Sequence, residues 1–113
     1  MRKPAVVRDP HNQPLFHAAL ELDGKSARVV VIGELDAACA DALRSMLDEA
    51  ISADVEEVRL DLAGLRFCDA AGIGELIRAR AQLDCQHRTL ILEHVPRRIQ
   101  RTVRLAEADL LLT

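Results

Sequence analysis

Two aspartates in this 113-residue chain stand where helices should begin, and a helix start is chemically useful. Asp36 follows Gly33-Glu34-Leu35, and Asp69 follows Phe67-Cys68 and precedes Ala70-Ala71-Gly72-Ile73. The first turn of a helix leaves backbone N–H groups without partners and carries a partial positive charge, so it suits a carboxylate, a hydroxyl or a phosphate. The simplest role for Asp69 is to cap its helix, worth about 1 kcal/mol and requiring no further function. Neither residue after Asp69 carries a hydroxyl.

Other constellations point to chemistry less well. Asp61 could pose as the acceptor of a receiver domain, but that reaction uses a lysine on a late strand, and the only lysines are Lys3 and Lys25. Gly72-Ile73-Gly74 resembles the start of a dinucleotide-binding turn, yet Ile77 stands at the third glycine and the pair lies inside the helix start. Cys68 lacks a phosphatase-like arginine, since Gly74 falls at that place. Cys39, Cys68 and Cys85 include no CxxC spacing, and Cys85-x-His87 is too short a cluster to specify a metal. His11, His17, His87 and His94 read as surface or capping histidines. The chain is therefore expected to have no catalytic residues, no metal and no cofactor, with reduced thiols that act as small apolar groups.

The elements that position these residues follow from periodicity. Residues 1–14 hold Pro4, Pro10 and Pro14 and read as a flexible N-terminal arm or an edge extension. Residues 15–22 and 27–32 are two strands joined by the turn Asp23-Gly24-Lys25-Ser26. After Asp36, apolar Ala40, Leu43, Leu47, Ala50 and Ile51 recur at helical steps. Residues 58–62 form a strand leading into the Asp69 turn, after which Ile73, Leu76, Ile77 and Leu83 mark a second helix with Glu75, Arg78 and Gln82 toward solvent. Residues 89–92 are a further strand, and Pro96 opens a helix carrying Val95, Ile99, Val103 and Ala106 on one face. Residues 110–112 could add a last short strand. The predicted order is β-β-α-β-α-β-α, an α/β domain over a largely parallel sheet.

Composition bounds the partners. Half of the residues are hydrophobic, enough for one core that buries roughly two-thirds of the unfolded chain's surface. The only aromatic residues are Phe16 and Phe67, so stacking on bases is not an available binding mode. The net charge is −3 and the basic residues are spread along the chain, which argues against direct nucleic-acid binding. No apolar run approaches the roughly 18 residues that cross a bilayer, and the first residues lack a signal-peptide core, so a cytoplasmic protein without membrane insertion is expected. Arg97, Arg98, Arg101 and Arg104 make a basic face on the last helix, read first as a solvated surface balanced by acidic neighbours and second as a contact for an acidic partner.

The string Gly33-x-Leu35-Asp36, then Leu60-Asp61-Leu62, then Phe67-Cys68-Asp69-Ala70-Ala71-Gly72-Ile73, then Pro96 before an arginine-rich helix, resembles a STAS domain, the fold of bacterial anti-sigma factor antagonists. The resemblance assigns residues 15–113 to that domain and implies a mixed four- to five-stranded sheet with helices packed against it. It also implies a non-enzymatic regulator of transcription, a monomer or weak dimer, that binds an anti-sigma factor of the serine-kinase type. The contact would run through Gly33, Glu34, Asp36, Cys68, Asp69, Ala70, Ala71, Gly72 and Ile73. In the family the residue after the aspartate is a phosphorylated serine; here it is Ala70, and the next hydroxyl is replaced by Ala71. Two other roles fit the same resemblance: a small STAS subunit of a lipid-transport ATPase, and a stressosome-like scaffold.

Overall fold

The computed structural model describes residues 2–112. Strands β1 (Arg2–Arg8), β2 (Pro14–Asp23) and β3 (Ser26–Leu35) lead to helix α1 (Ala37–Ser52). Strand β4 (Glu57–Cys68), helix α2 (Ala70–Cys85), strand β5 (Thr89–Glu93), helix α3 (Arg97–Leu105) and a 3₁₀ turn (Asp109–Leu112) complete the chain. The strands lie in one sheet in the order β1-β2-β3-β4-β5. The α/β architecture with a mixed sheet is as the sequence predicts, but the sheet is not largely parallel: β1/β2 and β2/β3 are antiparallel, and only β3/β4 and β4/β5 are parallel.

Of the two readings of the N-terminal residues, the edge extension is the one seen: residues 2–8 pair with β2 as an edge strand, a position that tolerates Pro4. Two departures have local causes. Strand β4 runs on to Cys68, six residues beyond the expected end, by absorbing register shifts against β3 between Val30 and Ile32 and between Gly33 and Glu34. Residues 109–112 form a 3₁₀ turn rather than a strand, and Leu111 is buried against the core.

Alternation along the strands gives the sheet two unlike faces. Ala27, Val29 and Val31 of β3 and Val58, Leu60 and Leu62 of β4 are fully buried on the helix side. Opposite them, α1 presents Cys39, Leu43, Leu47 and Ala50, and α2 presents Ile73, Leu76, Ala79 and Leu83. Ile77, expected on that buried face, is instead half exposed, because the buried positions of α2 step from 76 to 79 and leave 77 a quarter-turn away. Arg78, expected toward solvent, ties the helices together: it lies 3.1 Å from Asp48 of α1 and 2.9 Å from Glu75.

The opposite sheet face carries charge. Arg28 and Arg59 are register partners, a repulsive placement resolved by pairing each with carboxylates: Arg28 with Asp61, and Arg59 with Glu57 at 2.9 Å and Glu93 at 3.0 Å. Asp61, the one buried charged residue among those described, also accepts the Ala63 N–H at 3.0 Å and lies 3.2 Å from Nδ1 of His94. Burial alone would push its carboxyl up, but the Ala63 N–H, His94 and Arg28 outweigh that and hold it below the ordinary value of 3.8. Asp61 is thus a structural ion-pair partner.

Arg88 closes the far end of the layer. Its guanidinium donates to the carbonyls of Ile51 and Val55 at 2.8 Å and of Ala53 at 3.1 Å, satisfying groups that the C-terminus of α1 leaves open. Among the described residues no helix is long and apolar enough to cross a membrane.

Two outcomes test this account. Arg88→Ala should lower unfolding stability by about 2 kcal/mol, measured by urea denaturation, since three carbonyls lose a charged donor; an unchanged midpoint would show that water replaces the guanidinium at no cost. Because the folded carboxyl of Asp61 titrates below its unfolded value, its stabilisation is complete above about pH 4 and fades as pH falls through the depressed value. Wild type and Asp61→Asn should therefore differ in stability at pH 7 and converge toward pH 2.

Candidate functional site

The site is built where two parallel strands end together. Leu35 at the end of β3 and Cys68 at the end of β4 are register partners, and the N–H of Asp69 donates to the carbonyl of Leu35 at 3.1 Å. Each strand is followed by one aspartate in extended conformation and then by a helix. Asp36 Oδ1 accepts the N–H groups of Ala38 at 3.0 Å and Cys39 at 3.2 Å. Asp69 Oδ1 accepts those of Ala71 at 3.0 Å and Gly72 at 3.2 Å. Both capping roles read from the sequence are present, so two helix starts lie side by side, each with a carboxylate over its free N–H groups.

Two glycines make this close arrangement possible. Gly33 has φ of +106°, and a Cβ there would lie 2.3 Å from the carbonyl oxygen of Leu15, so no side chain is admitted. A Cβ on Gly72 would meet Cγ of Leu35 at 2.6 Å, Sγ of Cys68 at 2.8 Å and the Leu35 oxygen at 2.9 Å. Gly72 thus lets the first turn of α2 lie directly against the end of β3.

Of the nine residues assigned to a contact surface, the structure divides them. Gly33, Cys68, Gly72 and Ile73 are buried and shape the turn from beneath. Ala70 and Ala71 are exposed, and Glu34, Asp36 and Asp69 are partly exposed around them. The outward surface is therefore small and apolar at its centre and acidic at its rim, with exposed Asp41 farther along α1. Ala70 is the first residue of α2 and projects no polar group.

Sequence reasoning missed Phe67, which is 47% exposed beside Glu34, its register partner. An exposed aromatic ring next to a neutral turn is the kind of anchor that protein interfaces use. A signal was present: Phe67 precedes buried Cys68 in a strand, so alternation turns it away from the core. Ala37 and Ala38, exposed at the start of α1, extend the same small-residue surface.

The thiols beneath this surface are poor nucleophiles. Burial and, to a lesser degree, Asp69 push Cys68 up to about 12. Burial and then Asp36 push Cys39 up to about 11. Cys85, at the end of α2, is exposed. Among the described residues no three His, Cys, Asp or Glu side chains converge to hold a metal ion.

Comparison with known proteins agrees with this geometry. No curated protein matches the chain by sequence. The unphosphorylated form of the anti-sigma factor antagonist SpoIIAA superposes with a TM-score of 0.73 at 17% identity, covering 85% of each chain. The phosphorylated form of SpoIIAA from Bacillus gives 0.68 at 17% identity, covering 85% of this chain and 88% of that one. An anti-sigma factor antagonist from Mycobacterium paratuberculosis gives 0.74 at 18% identity, covering 94% of this chain and 87% of the other. The family model described as "Mlab, STAS domain" matches residues 18–113, which span the sheet from β2 onward, both capped helix starts and α3. With that match over most of its length, and with the fold of the antagonists around its paired helix starts, the chain belongs to the STAS domain family.

Proposed function

We propose that the protein is a cytoplasmic, non-enzymatic regulator that binds an anti-sigma factor of the serine-kinase type through the surface around Ala70 and Ala71, and that it is not phosphorylated there. The observation that carries the reading is the exposed, hydroxyl-free start of α2 set among Glu34, Asp36, Asp69 and Phe67. A neutral apolar centre lets a partner close over it without stranding a charge, and the acidic rim suits basic residues around the partner's contact. A phosphate would add close to two negative charges beside Asp36 and Asp69 and repel such a partner. Ala70 removes that switch, so binding is constitutive as far as charge is concerned.

A second reading, a small STAS subunit of a lipid-transport ATPase, is favoured by the same missing hydroxyl and by a family description that is not an antagonist's. A permanent subunit needs a contact surface and no switch. The two readings part on the partner recovered: a kinase-like anti-sigma factor for the first, a permease with its ATPase for the second.

Ala70→Glu should weaken binding to a purified anti-sigma factor of the kinase type at least about tenfold, measured by calorimetry, which corresponds to 1.4 kcal/mol or more. Unchanged affinity would remove the turn from the interface. With the same partner and ATP, wild type should take up no phosphate at the turn while Ala70→Ser does.

Oxidation is not the replacement for phosphorylation in this reading, because the thiols under the surface are buried and held protonated. A thiol-specific chromogenic reagent at pH 8 should find one fast-reacting group, Cys85, with Cys39 and Cys68 reacting only in denaturant. Three fast thiols in the native protein would instead point to redox control.

A further inference from the structure

Helix α3 carries an arrangement of charge that its own fold does not use. Arg97, Gln100, Arg101, Arg104 and Leu105 line one shallow groove, and their spacing of three and four places them on a single helix face. The opposite face, with Ile99 and Val103, is buried in the core. The sequence allowed for acidic neighbours that would balance these arginines. Among the described residues no ion pair reaches Arg97, Arg98, Arg101 or Arg104: Arg98 donates to the carbonyl of Arg66 at 3.4 Å, and Arg104 to Oε1 of Gln100 at 3.4 Å.

Elsewhere Arg28, Arg59, Arg78 and Arg80 sit against carboxylates and Arg88 against carbonyls. Exposed Arg44 and Arg66 have no ion pair among the described residues either, but they lie on separate elements, whereas the α3 arginines share one helix. Placement along α3 is also adverse. Arg97 and Arg98 occupy the first turn, where the helix dipole favours acidic residues, and Pro96 provides no side-chain cap. The contrast with the aspartate caps of α1 and α2 is direct. The four guanidiniums repel one another, Arg97 and Arg98 also oppose the dipole while Arg104 in the last turn suits it, and none is neutralised by a carboxylate inside the fold.

We propose that the outer face of α3 is a second docking surface, separate from the Ala70 turn, and that its occupant is a carboxylate-rich protein segment carrying one apolar residue. Guanidiniums held at helical spacing offer planar forks that match carboxylates two bonds at a time, and Leu105, 80% exposed at the end of the groove, gives the apolar residue its seat. A membrane is a poorer fit, because the apolar face that α3 would need to insert is committed to the core. Nucleic acid is a poorer fit because the whole chain is net negative and the groove has no aromatic ring.

The test uses the full chain and a fluorescent synthetic peptide with glutamates and one leucine at helical spacing, titrated at low ionic strength. Wild type should bind, and the triple variant R97Q/R101Q/R104Q should bind at least about tenfold more weakly while its Tm stays equal or rises, because the mutual repulsion and the dipole conflict at Arg97 are removed and outweigh the favourable last-turn place of Arg104. R97K/R101K/R104K, which keeps the charge and loses the forks, should also weaken binding severalfold. Ala70→Glu should leave peptide binding unchanged, which separates this surface from the turn. Absence of binding by wild type would overturn the proposal, as would full affinity in the lysine variant or a lower Tm in the glutamine variant. Tighter arginine-dependent binding to phosphatidylglycerol vesicles or to duplex DNA than to the peptide would overturn the assignment to protein.

Discussion

The parallel pairing of β3 with β4 places two chain reversals at the same height. Leu35 and Cys68 face each other at the strand ends, and the bond from the Asp69 N–H to the Leu35 carbonyl fixes the second reversal against the first. Everything distinctive about the exposed surface follows from that constraint. Both helices must start there, both need a cap, and two aspartates supply them within a few residues of each other. Gly72 is the condition for doing this without separating the strands, since a Cβ would collide with both of them. The rim of negative charge around Ala70 is thus a consequence of helix capping, and it encloses an apolar centre.

The sheet handles its two faces by opposite means. The helix side is aliphatic and closed, filled by Leu, Val, Ile and Ala with Phe16 as its single aromatic ring. The other side relies on a short ladder of ion pairs around Asp61, whose charge is retained because a backbone N–H, His94 and Arg28 all converge on one carboxylate. Removing one member would leave a buried charge partly unpaired, which costs more than the intact ladder contributes.

Local signals carried much of this architecture in the sequence. Asp36 and Asp69 were legible as caps because a cap depends on its own next three residues, and the buried stripe of α1 was legible because it follows helical periodicity. The family resemblance then supplied the expectation attached to Ala70. What stayed hidden depends on distant partners. For β1, Pro4 left an arm and an edge extension equally open, and the pairing with β2 decides for the edge. Arg88 reads as a surface charge until α1 is seen to end beside it, and Arg78 reads as solvated until Asp48 approaches. The isolation of the α3 arginines is likewise a tertiary fact, because Glu93, near them in sequence, is engaged by Arg59 on the sheet.

The strands lie in the sheet in the order in which they occur in the chain. During synthesis, each strand leaving the ribosome therefore finds its neighbour already made, and none has to be inserted between two that are paired. Such vectorial growth limits the time an unpaired edge is exposed to other nascent chains. It also orders the surfaces in time. The paired helix starts come together once β4 and α2 have emerged, before α3 and its arginines have left the ribosome. The nascent chain thus exposes the start of α2 before α3 can fold onto the core.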